Sequence, residues 1–162
     1  MRKKTLYVTA FASIAGLGVA AIVVMAQQDD AGTGLLKPDD RRVLAVGKTL
    51  YAENCATCHG VNLEGEVEDW RSPGPDGLMP APPHDESGHT WHHPDEILFE
   101  ITKYGIVAAA NLKNYNSAMP IYEDVLTDAE IIAVLSYLKS TWPDEIRNRH
   151  DEMNARYALE PK

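Results

Sequence analysis

The sequence predicts an all-α fold built from three main helices and one long loop. Two observations carry this. Apolar residues recur at helical spacing in three separate stretches, and a run dense in proline and glycine lies between the first stretch and the second. No pair of alternating segments joined by turn residues reads as a hairpin, and no internal repeat is present. The 162 residues, 44% of them apolar, give room for one ordinary domain and a targeting segment.

The N-terminal segment comes first. Arg2, Lys3 and Lys4 precede an uncharged stretch from Thr5 through Gln28. As a helix it reaches about 36 Å, enough for a hydrocarbon core of about 30 Å. A cleaved signal peptide and an uncleaved anchor share this form; the length favours the anchor, while Val24-Met25-Ala26 is an acceptable cleavage site. Residues 1–28 are therefore read as an N-terminal hydrophobic helix, a membrane anchor or signal peptide. The basic residues stay inside and residue 30 onward lies outside. Residues 29–37 form a linker.

The domain proper spans 38–142. Pro38-Asp39-Asp40 is an acidic, proline-marked helix start, and Val43, Val46, Gly47, Leu50 and Tyr51 follow on one face. From Gly60 to about His93 no period persists and seven Pro or Gly residues between Pro73 and Pro83 break the chain, so this stretch is loop. A loop that long inside a compact domain has to wrap a ligand or do functional work. The second helix opens at Pro94, with Asp95 and Glu96 at its positive end, and stops before Gly105. Thr127-Asp128-Ala129-Glu130 is a capping-box pattern opening the last main helix, which runs to Trp142-Pro143. Residues 143–162 are a polar tail in which Ile146, Met153 and Tyr157 sketch one further weak helix.

Chemistry concentrates at Cys55-Ala56-Thr57-Cys58-His59. These are the chain's two cysteines, spaced to add to the two vinyl groups of one porphyrin, with the adjacent imidazole beneath the iron. A redox Cys-x-x-Cys pair needs a strand-helix-strand setting that the pattern does not offer, and zinc needs further ligands of comparable regularity. The motif thus predicts one covalent c-type haem.

The chain resembles the class I monohaem bacterial cytochromes c from about Asp39 to Trp142. Four elements match in order: the Gly47-x-x-x-Tyr51 helix, the Cys55 to His59 motif, Ala118-Met119-Pro120, and the helix from Thr127. The resemblance implies a cytochrome c fold around the haem, with the first and last helices crossing at Gly47 and Tyr137. It implies Met119, sixty residues beyond His59, as the sixth iron ligand opposite His59; Met79 is the methionine rival. It also implies that a carbonyl in the 80–83 stretch, Pro82 by preference, accepts a hydrogen bond from the far nitrogen of His59. Trp91, Tyr104 or Tyr122 are the aromatics expected near the haem.

One segment departs from that family. His84, His89, His92 and His93 put four of the six histidines within ten residues. One reading is a second metal site, with copper the best match to imidazole donors. A second is that these side chains hydrogen-bond the haem propionates or the loop backbone, and a third is that one of them replaces Met119 on the iron and lowers the potential.

Function follows from this set. The chain carries 15 Lys and Arg; without the three at the N-terminus, 12 face 24 acidic residues, a formal charge of −12. So acidic a chain argues against nucleic acid as a partner; the excess acid serves solubility, or alternatively forms a docking face for a basic redox partner. No nucleophile-base arrangement or phosphate loop points to a small-molecule substrate. The leading reading is a one-electron carrier, not an enzyme, in a periplasmic respiratory or photosynthetic chain. It is held at the inner membrane by the N-terminal helix, or is soluble in the periplasm after cleavage. The alternatives are a haem subunit of a larger oxidase or dehydrogenase, a haem enzyme or sensor with an open sixth site, and a copper-linked cytochrome.

Overall fold

The computed structural model describes residues 34–113 and 115–160. The predicted anchor and most of the linker lie outside the described residues. None of the helices among the described residues is long and apolar enough to cross a membrane.

The described residues are helical, without strands. Helix α1 (Arg41–Asn54) starts where Asp40 Oδ1 accepts from the Arg42 and Val43 amides at 2.8 and 3.3 Å, satisfying donors that the first turn leaves unpaired. It runs into α2 (Ala56–His59), a single turn. The loop that follows contains one 3₁₀ turn, Thr90–His92. Helix α3 (Asp95–Tyr104) begins one residue later than the sequence suggested, because Pro94 keeps an extended ψ of 155° and acts as the residue before the helix. A short α4 (Ile106–Ala109) continues past Gly105. Helix α5 (Asp128–Thr141) has the predicted capping box: Thr127 Oγ1 accepts from the Glu130 amide at 3.3 Å, and Glu130 Oε2 accepts from the Thr127 amide at 2.8 Å.

Helix α1 packs across α5, and Gly47 is the point of closest approach. A Cβ at Gly47 would overlap the Ala133 carbonyl and stand 3.0 Å from the Tyr137 Cβ, so only hydrogen fits there. Around this crossing Tyr51, Leu98, Leu126, Ile131, Val134 and Leu138 form the centre of a continuous buried core.

The C-terminal tail requires a correction. It forms α6 (Asp144–Tyr157), as long as α1 and α5 at 14 residues, so the described fold has four main helices rather than three. Its two buried residues, His150 and Asn154, are polar, with Ile146 partly buried against the core, so apolar periodicity understated it. His150 is fully buried and lies edge-on to Trp142, with centroids 5.1 Å apart. His150 Nε2 donates to the His93 carbonyl at 3.0 Å, and Nδ1 accepts from Asn154 Nδ2 at 3.3 Å. Asn154 Nδ2 also donates to Asp95 Oδ1 at 2.9 Å, and its own Oδ1 accepts from the Asp95 amide at 2.8 Å. Asp95 Oδ2 in turn accepts from the Leu36 amide at 3.0 Å. One satisfied buried network thereby joins the segment at Leu36, α3 and α6. Burial, then the Lys139 ammonium, pushes His150 below the ordinary histidine pKa and outweighs Asp95, 3.5 Å away.

Candidate functional site

Helix α1 delivers the chain to Cys55, whose amide still bonds the Tyr51 carbonyl at 2.9 Å. The next turn closes through the Cys58 and His59 amides, both on the Cys55 carbonyl at 3.1 and 2.9 Å. Cys55 and Cys58 therefore stand three residues apart on one helical turn, the spacing that puts two side chains on one face. Cys55 is half-buried and Cys58 exposed. Burial, then the neighbouring Cys58, pushes the Cys55 thiol up to about 11. Gly60 ends the turn at φ +82°, and Tyr51 Oη donates to its carbonyl at 2.7 Å.

His59 is buried at the end of this turn. Its Nδ1–H donates to the Pro82 carbonyl at 2.8 Å, which leaves the lone pair on Nε2. Nε2 has no hydrogen-bond partner among the described residues and is not buried. Burial holds the imidazole below its ordinary pKa, more than the Pro82 bond raises it. Pro82 is brought there by backbone bonds across the loop: Gly65 amide to His59 carbonyl at 2.8 Å, Glu66 amide to Ala81 carbonyl at 3.0 Å, and His84 amide to Leu63 carbonyl at 2.8 Å.

Met119 sits half-buried against the core together with Cys55. Its segment is tied to the cysteine turn by Tyr122, whose Oη donates to the Asn54 carbonyl at 2.6 Å. Burial, then Cys55 and Cys58, raises the Tyr122 hydroxyl. Tyr122 is thus the one of the three expected aromatics tied to the site: Tyr104 is exposed, and Trp91 stacks on His92 at 3.7 Å. Large apolar side chains remain exposed on the segments around Met119, namely Tyr104, Val107, Leu112, Ile121 and Val125. Met79 and Ala118 line one cavity of about 560 Å³, which brings the rival methionine's loop next to the Met119 segment.

The four clustered histidines do not converge. His84 stacks on His59, with centroids 4.0 Å apart and planes 21° from parallel, and its Nδ1 bonds Thr90 Oγ1 at 2.8 Å. His89 stacks on Trp70 at 4.9 Å and meets His93 edge-on at 5.3 Å, while the exposed His92 lies on Trp91. Among the described residues no group of three or more His, Cys, Asp or Glu side chains is arranged to hold a metal ion. The copper reading from the sequence is corrected accordingly: aromatic stacking and hydrogen bonds direct these rings to separate neighbours. Sequence reasoning missed Thr90, Trp142 and Leu63, whose bonds hold the His84 stretch against His59. Their spacing from His59 carries no local signal.

A family model described as cytochrome c matches residues 44–142. Two curated relatives are named cytochrome bc1 complex cytochrome c subunit. The one from Corynebacterium efficiens is 43% identical over 60 residues, covering 37% of this chain and 20% of the relative. The one from Corynebacterium diphtheriae is 41% identical over 56 residues, covering 35% and 20%. The chain spans about a fifth of the length of these relatives. No solved structure matches it.

Proposed function

The chain belongs to the cytochrome c family and carries covalently bound haem c for electron transfer, and from that premise we propose a one-electron carrier with His59 and Met119 as axial ligands. Bound haem supplies a one-electron iron couple. In this reading the two sulfurs of Cys55 and Cys58 anchor the porphyrin. The Pro82 carbonyl, 2.8 Å from His59 Nδ1, holds the ring proton away from the metal side and strengthens Nε2 as a donor. Met119 provides a thioether, a soft ligand that favours the reduced metal and raises the potential relative to a second imidazole. That hydrogen bond, beside two thiols on one turn, is the observation that carries the proposal.

The test is the visible spectrum of the matured holoprotein. Thioether linkage keeps the pigment on the chain in acidified acetone. His/Met ligation gives the far-red band of sulfur-bound ferric iron, lost in Met119→Leu, and inertness to carbon monoxide and cyanide. Pigment released into acetone, or rapid carbon monoxide binding to the untreated protein, overturns it.

The reading places the domain on the periplasmic side of the inner membrane, with residues 1–28 as the anchor and 143–162 outside the haem-binding part. The names of the relatives favour a second reading, a haem subunit docked in a larger respiratory complex. Co-purification from detergent-solubilised membranes distinguishes it from a free carrier. Both readings need a redox partner, and charge indicates its kind: between Glu64 and Glu86 seven acidic residues stand with Arg71 alone, so a basic docking face is favoured.

A further inference from the structure

We propose that His84 is a positioning residue for the His59 imidazole, fixing the plane in which that ring meets the metal; this rests on His59 as the proximal ligand. A coordinated imidazole has two orientations to settle, the direction of its Nε2 lone pair and the rotation of its plane about that direction. The Nδ1–H bond to Pro82 settles the first. It restrains the second weakly, because a carbonyl accepts over a broad range of directions.

The face of the His59 ring supplies the missing restraint. His84 lies on it with centroids 4.0 Å apart and planes within 21°, so rotation of His59 drives one ring into the other. His84 is itself braced from three parts of the fold. Its Nδ1 is bonded to the buried Thr90 hydroxyl at 2.8 Å, its amide donates to the Leu63 carbonyl at 2.8 Å, and its carbonyl accepts from the buried Trp142 Nε1 at 2.8 Å. The Tyr51 ring closes the remaining side edge-on, 6.3 Å away at 71°. A side chain held by this many neighbours transmits the rigidity of the loop, α1 and the end of α5 to the ring it covers. This accounts for one histidine of the cluster without a second metal.

The plane of an axial imidazole governs its overlap with the metal orbitals, so the readouts are the low-temperature electron paramagnetic resonance of the ferric holoprotein and its reduction potential. Wild type is expected to give one narrow low-spin signal. His84→Ala is expected to shift and broaden the largest g value and to displace the potential at unchanged haem content. His84→Phe retains a flat ring and is expected to restore the narrow signal. Wild-type g values and potential in His84→Ala overturn the proposal, as does a Phe variant indistinguishable from Ala. Should His84→Ala fail to mature, Thr90→Val decides: it keeps the ring and releases its Nδ1, and an unbroadened signal overturns the proposal. A wild-type low-spin signal that survives replacement of His59 would instead sink the ligation reading, and the positioning role with it.

Discussion

The crossing of α1 and α5 and the loop from Gly60 to His93 both place His59, but different interactions hold them. The crossing is packed by side chains: Tyr51 against Tyr137 at 5.8 Å, and Ile131, Val134 and Leu138 buried beneath, with a single glycine setting the distance. The loop has few apolar anchors, Leu63 among them, and is stitched by main-chain bonds such as Glu66 amide to Ala81 carbonyl. Packing of repeated side chains gives a rigid frame. Stitching of irregular backbone gives fine placement of one carbonyl, Pro82, and one ring, His84, at distances a helix could not supply.

The largest expected effect comes from removing the two thiols of the cysteine turn. Cys55→Ser with Cys58→Ser is expected to abolish haem attachment and with it a cooperative thermal melt, because a small domain depends on the porphyrin for much of its apolar burial. A cooperative melt in the double mutant, followed by circular dichroism, would show that the helical frame stands alone.

Next is a blow to the frame only. Gly47→Ala puts a methyl into the Ala133 carbonyl, which is backbone and cannot step aside, so α1 and α5 must part. The expected loss is about 3 kcal/mol in urea unfolding; wild-type stability would mean the helices do not meet there. The matching blow to the loop is Gly88→Ala, whose Cβ would overlap the Pro83 carbonyl. Loop backbone has more freedom to shift, so about 1 kcal/mol is expected. The visible spectrum is expected to change more than in Gly47→Ala, because Pro83 neighbours the carbonyl that holds His59.

The smallest effect is a pH dependence through His150. Its folded pKa lies below the ordinary 6.5. Between that depressed value and about 6.5 the unfolded chain binds a proton that the folded chain refuses, so stability is complete above about 6.5 and falls as the pH drops through this window. The groups facing it are Lys139, Asp95, Asp151 and the His93 carbonyl. His150→Gln is expected to flatten the acid limb of a stability-against-pH curve; an unchanged limb would remove His150 from the account.

Legibility in the sequence followed the kind of interaction. Helix α5 could be read to its first residue, because Thr127 and Glu130 cap it through bonds three residues apart. The start of α3 was read one residue early, since a proline suits either side of a helix boundary. Helix α6 was undervalued because its buried face is His150 and Asn154, residues that carry no apolar period and are stable inside only when every polar atom is paired. The histidine cluster was the least legible: identity and closeness in sequence left a metal site and hydrogen bonding both open, while the fold sent His84 to His59 and His89 to Trp70.

By itself the sequence determined the helices whose caps and apolar faces are local, the two thiols and imidazole on one turn, and the acidic character of the surface. Bonds spanning fewer than about four residues, and charge, need no knowledge of the rest of the chain. The Pro82 carbonyl on His59 was legible only through the family resemblance, and the structure has that bond. The tertiary structure alone decided which ring covers His59 and how α6 closes over Asp95. Each of these joins residues far apart in the chain, His59 with His84 and Asp95 with Asn154, and such meetings are set by the packing of the whole core.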